Sequence, residues 1–266
     1  MKLGILYDFY LWQIGFLFVL VLLVVLEAGY RIGLSQRKHW KDADSGGGNL
    51  ILTSMLGVLA LILAFTYAAA VSRFDARKKA VILEANVLST AFYRADLVAE
   101  PGRTELKQAL HDYALTRVVK QGRKITYEEH NSIVKKSLAA QAKLWPIITA
   151  QILSQSQPIP IVLSLVTSVN KVHDTHTARL AAAQDKLPLP VTLMLLLVAA
   201  ASLGVAGFNA GISGRMSRWR MTAFAVVLIL VMIVIQDFDR PHEGFIVISL
   251  DSLNNVILGM EADLTQ

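Results

Sequence analysis

Two groups of side chains in this chain are of the types that bind metal ions. His173 and His176, with Asp174 between them, stand one turn apart on a predicted helix and could share a metal. The C-terminal tail carries four carboxylates that could gather Ca²⁺, namely Asp237, Asp239, Glu243 and Asp251. However, the histidine pair lacks a third ligand, and the carboxylates do not have the spacing of a calcium loop. The pattern therefore favours core or solvated histidines and an acidic capping segment, and no metal or other cofactor is expected.

Other kinds of chemistry have no support in the sequence. The absence of cysteine excludes thiol catalysis, disulfides and thiolate metal sites. No Ser/His/Asp set, glycine loop for phosphate or pair of buried carboxylates can be assembled from the residues present. The net charge of +6 lies mainly at the edges of apolar segments, which argues against nucleic-acid binding. We therefore expect a protein that is not an enzyme.

The elements that must position these side chains are mainly membrane spans. Hydrophobic residues make up 54% of the 266-residue chain, which is too apolar for an ordinary soluble domain. The excess lies in four runs that approach the ~20 residues needed to span a bilayer, at about 11–28, 50–71, 189–212 and 221–236. The sequence thus predicts an all-α integral membrane protein with four transmembrane helices.

The second span should continue as a helix into water. Residues 56–71 carry no charge, and four basic residues then follow closely, namely Arg73, Arg77, Lys78 and Lys79. Because no Gly or Pro interrupts residues 58–100, one long helix can leave the bilayer and enter a soluble domain. The basic group reads either as a collar facing lipid headgroups or as a vestibule for anions.

The soluble part should be a helical bundle inserted between spans 2 and 3. We divide the chain into a first transmembrane pair (1–71), the helical domain (72–186), a second transmembrane pair (187–238) and a tail (239–266) with a short helix from Leu250. Thr126 and Glu129 form a capping box, a kink is expected at Pro146, and residues 34–49 read as a polar loop.

Three polar residues lie within or beside the predicted spans. Glu27 and Arg31 stand one turn apart and can pair, which lowers the cost of an acid near the membrane edge. Asn209, within the third span, either bonds a neighbouring helix or faces a water-filled path. Gly29 and Gly33 form a small-xxx-small pair that would let another helix approach closely.

Several motifs resemble those of bestrophins. Leu63-Ala-Phe65 followed by Ser72-Arg-Phe74 and Ala76-Arg77 resembles the segment after the bestrophin pore neck. Leu187-Pro-Leu-Pro190 resembles the entry to the third bestrophin span, and the segment from Asp239 to Gly244 resembles the bestrophin tail. Together with Glu84-Ala-Asn86, the set is closer still to the bacterial bestrophin-like family of unknown function, DUF4239.

Bestrophins are pentameric anion channels with four spans per subunit and a cytoplasmic helical domain. The resemblance implies that Gly57, Leu61 and Phe65 are the neck positions facing the pore axis, since they are one turn apart. Thr66 and Tyr67 depart from the bestrophin polar/basic pair that follows the aromatic. The implied partners are membrane lipid, further copies of the chain in a pentamer, and inorganic anions such as chloride.

Two functions remain open from the sequence. One is an oligomeric, anion-conducting channel lined by the second span, and the other is a non-conducting sensor or scaffold whose helical domain binds a partner. The expected location is the bacterial inner membrane. The short loops 31–49 and 213–220 carry seven Lys and Arg and the short terminal tails only two, which places the helical domain outside by the positive-inside rule, whereas the resemblance places it in the cytoplasm. We follow the resemblance.

Overall fold

The computed structural model is all-helical in the part of the chain that it describes, residues 9–40, 45–119, 122, 125–153, 158–214, 216–240 and 244–265. The α-helices are α1 Leu11–Trp40, α2 Ser45–Arg94, α3 Gly102–Thr116, α4 Tyr127–Ala142, α5 Leu144–Leu153, α6 Ile159–Gln184, α7 Leu189–Ser213, α8 Arg218–Phe238 and α9 Asp251–Leu264. A 3-10 turn, Ala95–Leu97, follows α2.

The helices form two compact units. Unit 1 comprises residues 1–72 and 186–240, and unit 2 comprises residues 73–185 and 241–266. Helix α2 contributes to both units because it runs without interruption from Ser45 to Arg94, and the absence of Gly and Pro from residues 58–100 predicted its continuity beyond the apolar span. The tail differs from the division made from sequence. Its helix α9 belongs to the helical unit because Leu253, Ile257 and Met260 are buried in that unit's core.

Unit 1 contains the apolar helices. Among the residues that the structure describes, four helical stretches are long and apolar enough to cross a membrane, namely Leu11–Lys38, Gly48–Leu97, Ile159–Ser213 (which includes α7) and Arg218–Phe238. The four expected spans are therefore present. They share one core in which Leu22 of α1, Leu59 of α2, Leu203 of α7 and Ile229 of α8 are buried.

Glycines bring α1 and α7 into backbone contact. A Cβ built on Gly29 would lie 2.2 Å from the carbonyl oxygen of Gly204, and one on Gly207 would lie 2.2 Å from that of Leu26. Gly33 meets the carbonyl oxygen of Phe208 in the same way. The small-xxx-small pair of α1 is thus a helix contact, since only glycine leaves room for the facing backbone.

The polar loop expected at 34–49 is shorter than predicted. Helix α1 continues to Trp40, and α2 begins at Ser45 in spite of its three consecutive glycines. Asn209 of α7 donates a hydrogen bond from Nδ2 to the carbonyl oxygen of Gly48 at 3.0 Å, which ties the first turn of α2 to α7. Tertiary contact therefore offsets the low helix propensity of glycine.

Unit 2 is a helical bundle built around a second core. Phe92 of α2, Tyr113 of α3, Ile148 of α5 and Val172 of α6 are among its buried side chains. The predicted cap of α4 is present, because the Thr126 hydroxyl accepts a hydrogen bond from the Glu129 amide at 3.2 Å.

The predicted kink at Pro146 is instead a break between two helices. Helix α4 ends at Ala142 and α5 begins at Leu144, two residues before the proline. The ring of a proline clashes with the carbonyl four residues earlier, and that residue is Ala142.

Candidate functional site

One face of α2 in unit 1 is uncovered. Leu61 and Phe65 are 56% and 68% exposed, and a Cβ built on Gly57 meets nothing within 4 Å. On the opposite face, Leu59 and Leu63 are buried in the core. We call the row Gly57, Leu61 and Phe65 the neck face. The neck face lies on the least buried of the four candidate membrane helices. The apolar stretch of that helix is 17% buried, against 33% to 39% for the other three.

The two residues after Phe65 differ in burial, since Thr66 is buried and Tyr67 is 44% exposed. Thr66 is buried and donates its hydroxyl hydrogen to the carbonyl oxygen of Ile62 at 2.7 Å. Tyr67 places its ring edge-on to that of Phe238, with 5.8 Å between centroids. Both side chains thus have contacts within unit 1, and none of the three residues of the neck face has a polar side chain.

The basic group after the span divides into two parts. Arg77 is buried and donates Nε–H to the carbonyl oxygen of Ala182 at 3.1 Å, with a second bond to the carbonyl oxygen of Asp185. It satisfies carbonyls at the C-terminal end of α6, where a cation is favoured. The prediction that Arg77 belongs to a basic collar or vestibule is therefore wrong.

The other three members keep a surface position. Arg73 is partly covered and pairs with Asp185 at 3.3 Å, while Lys78 and Lys79 are exposed. These three residues stay predicted contacts for headgroups or anions, and the two lysines are the more exposed of them.

The intramembrane polar residues are paired. Arg31 Nε lies 3.0 Å from Glu27 Oε1, as the spacing predicts, and Arg218 of α8 approaches the same oxygen at 4.0 Å. Asn209 bonds Gly48, so it joins helices, which is the first of its two predicted roles. Of these residues, Asn209 is the one whose hydrogen bond joins two helices of unit 1.

The candidate metal ligands have other partners. Buried Asp239 accepts a hydrogen bond from the Leu187 amide at 2.8 Å, which fixes the entry to α7. Asp251 accepts from Ser249 at the start of α9, and Asp237 is buried at the end of α8. Glu243 lies outside the described residues. Among the residues described, no three His, Asp or Glu side chains are grouped to hold a metal ion.

Unit 2 contains a buried polar cluster that sequence reasoning missed. Glu84 of α2 is 0% exposed. Its Oε1 accepts hydrogen bonds from the Tyr113 hydroxyl at 2.7 Å and from Arg117 Nε at 2.8 Å, and its Oε2 accepts from Arg179 of α6. His176 Nδ1 lies 3.0 Å from the same Tyr113 oxygen. We call Glu84, Tyr113, Arg117, His176 and Arg179 the Glu84 cluster.

The electrostatics of the Glu84 cluster follow from its burial and its excess of cations. Burial alone raises the pKa of Glu84, but Arg117 and Arg179 outweigh it, so the pKa of Glu84 is lowered. Burial, followed by the field of Arg117, lowers the pKa of His176 to about 4. At neutral pH the cluster thus holds one carboxylate, two guanidinium groups and a neutral imidazole.

One feature of the sequence could have indicated the Glu84 cluster: Glu84 lies on the apolar face of α2, between Val81 and Leu88. A carboxylate there must be paired when buried.

A second ionic contact holds the C-terminal helix. Lys107 of α3 lies between Asp96 and Asp263, 2.6 Å from Oδ1 of Asp263, and its ammonium group stands 4.9 Å from the centroid of the Phe92 ring. Burial lowers the pKa of Lys107, but the two carboxylates reverse this effect and raise it. The contact supplements the apolar face of α9.

The fold and these sites define an all-α integral membrane protein that has four apolar helices and a helical bundle joined to the second of them. The sequence model of the Bestrophin-like domain matches residues 18–253. This chain belongs to the Bestrophin-like domain family.

Solved structures share the fold. A variant of the bacterial bestrophin homologue from Klebsiella pneumoniae superposes with a TM-score of 0.66 at 11% identity, over 92% of this chain and 98% of that one. Another structure of the K. pneumoniae homologue gives a TM-score of 0.64 at 11% identity, over 93% and 98% of the two chains. A structure described as a membrane protein gives 0.66 at 10% identity, over 96% and 99%. No curated protein matches the chain.

Proposed function

We propose that the chain is a subunit of a homo-oligomeric anion channel in the bacterial inner membrane, with the neck face lining the pore. The observation that carries the proposal is the exposure of Leu61 and Phe65 on the least covered of the four apolar helices. The family membership supports the same assignment. By resemblance to bestrophins, we further propose a pentamer that conducts anions such as chloride and has its helical domain in the cytoplasm.

The exposed side of α2 has a composition that suits contact between copies. Ala60, Ala64 and Ala68 are exposed at intervals of four residues, beside the neck face. Small residues at this spacing let helix backbones approach closely in a membrane. The oligomeric state in lipid nanodiscs tests whether copies of the chain, rather than lipid, cover this face. We expect a defined oligomer in lipid nanodiscs, and a monodisperse monomer would contradict the proposal.

The neck face would act as an apolar constriction. A ring of Leu61 and Phe65 side chains around a narrow axis excludes water, so an ion entering it loses hydration. The buried Thr66 hydroxyl is bonded to its own helix and offers no compensation. Conduction should therefore be limited at these two residues.

The test is anion flux in liposomes. Replacing Leu61 and Phe65 together by Ala should raise the flux well above that of the parent protein, because the ring widens and admits water. The matched control replaces Leu59 and Leu63, which lie on the buried face of the same helix. That control should lower the melting temperature without raising flux, because each cavity costs about 2–5 kcal/mol. Equal flux in the parent and the neck-face variant would favour a non-conducting sensor or scaffold.

Orientation can be tested with reporter fusions. Alkaline phosphatase fused after Gly122 should be inactive if the helical domain is cytoplasmic, whereas a fusion at Gly47 should be active. The reverse pattern would follow the loop charges and contradict the assignment.

A further inference from the structure

The Glu84 cluster joins three helices of unit 2 through one buried carboxylate. Glu84 comes from α2, Tyr113 from α3 and Arg179 from α6, and Arg117 follows the last residue of α3. Arg179 also donates to the carbonyl oxygen of Arg117 at 3.0 Å, so α6 is bonded to both α2 and the end of α3. Removal of the Glu84 charge would therefore break the bond that Arg179 of α6 makes to α2 in this cluster and would leave two arginines without their shared anion.

His176 is placed so that its protonation would disturb this arrangement. The single hydrogen of the Tyr113 hydroxyl is donated to Glu84, so the Tyr113 oxygen accepts from Nδ1–H of a neutral His176. The other ring nitrogen, Nε2, is buried and has no hydrogen-bond partner among the described residues. A proton added there would be buried without a bond to satisfy it.

The charges around His176 also oppose its protonation. The groups that act on it are Glu84 from α2, Arg117 from α3, and His173 and Arg179 from α6 itself. Glu84 is the only anion among them, and it already pairs with both arginines. Imidazolium would give three cations around one buried carboxylate, and protonation of Glu84 at still lower pH would remove the last anion.

We propose that the Glu84 cluster is an acid-sensitive lock, which holds α6 against α2 and α3 at neutral pH and releases α6 when the surroundings are acidified. In the released state His176 is hydrated and takes up the proton that the locked state excludes. The sign follows from the pKa of His176, which is about 4 in the folded chain and 6.5 in an unperturbed histidine. The lock is at full strength above pH 6.5 and weakens as the pH falls, and at pH 4 the opening constant has risen roughly 160-fold.

Hydrogen exchange of the full-length protein in lipid nanodiscs tests the proposal. Exchange of α6 peptides, measured between pH 7 and 4 and corrected for intrinsic rates, should show an opening constant that rises roughly tenfold per pH unit below 6.5. Peptides from α5, whose ten residues include no titratable group, supply the internal reference and should show a smaller rise. An α6 opening constant that does not change over this range would overturn the lock.

Three variants assign the effect to the Glu84 cluster. His176→Asn retains an amide N–H in place of Nδ1–H but does not titrate, so the rise should disappear. His173→Asn removes the neighbouring histidine on the same helix and should keep the rise. Glu84→Gln should open α6 at pH 7, as acid does in the parent.

A rise that persists in His176→Asn, or that disappears in His173→Asn instead, would overturn the assignment. If His176→Asn does not fold, the other two variants still test the lock. Loss of the rise in His173→Asn, or an α6 that stays closed at pH 7 in Glu84→Gln, would overturn it. These readouts concern only the helical unit, so they stand or fall independently of conduction.

Discussion

Replacing glycine by alanine should have opposite effects on the stability of unit 1 at two positions, because only one of the two glycines lies in the contact between α1 and α7. Replacing Gly29 by Ala would put a methyl carbon 2.2 Å from the carbonyl oxygen of Gly204 and 3.2 Å from its Cα. Even a close carbon–oxygen contact needs about 3.3 Å, so the helices must separate by roughly 1 Å. The same change at Gly57 meets nothing within 4 Å.

The magnitudes follow from two opposing effects. Forced overpacking costs about 1–3 kcal/mol, whereas Ala stabilises a helix interior by about 0.5–1 kcal/mol relative to Gly. Gly29→Ala should therefore lower the free energy of unfolding by up to about 2.5 kcal/mol. At about 2–4 °C per kcal/mol, the melting temperature should fall by several degrees. Gly57→Ala should leave it unchanged or raise it slightly.

The assay is thermal unfolding of both variants in the same detergent, followed by loss of the folded species on size exclusion. Gly207→Ala serves as the partner measurement, since its Cβ would lie 2.2 Å from the carbonyl oxygen of Leu26. It should destabilise as Gly29→Ala does. A melting temperature of Gly29→Ala equal to or above that of Gly57→Ala would refute the close contact.

Three further predictions concern polar contacts. The parent should lose up to about 3 kcal/mol of its free energy of unfolding between pH 6.5 and 4 through His176. The pKa of His176 is lower in the folded chain than in the unfolded one, so its contribution to stability is complete above pH 6.5 and is lost on acidification. Urea titrations of the parent and His176→Asn should therefore diverge over this range. Asp239→Ala should cost about 1–3 kcal/mol in thermal unfolding because the buried Leu187 amide loses its acceptor, whereas Asp239→Asn, which keeps a carbonyl oxygen, should cost less. Lys107→Met should speed proteolysis within α9 by breaking its bridge to Asp263, and equal cleavage in parent and variant would contradict that role.

Local sequence patterns predicted much of the architecture. The four apolar runs correspond to four helices, and the uninterrupted stretch after residue 58 forms one helix through Arg94. The capping box at Thr126 and the pairing of Glu27 with Arg31 were also readable, because both depend on residues three or four apart. That the neck face lines a pore is still a prediction. Its exposure agrees with a surface that other copies of the chain would cover.

Positions of polar side chains that meet across helices were decided only by the tertiary structure. The sequence alone determined the spans, the long helix and the helical class, because hydropathy and helix periodicity are local properties. Arg77 resembles its neighbours Lys78 and Lys79 in the sequence, yet it is buried because the end of α6, 105 positions away, presents free carbonyls. Glu84 likewise bonds Arg179, 95 positions away, and His176 contacts Tyr113, 63 positions away. Burial of a charge depends on which partner the folded chain brings to it, and a single sequence contains no measure of that distance.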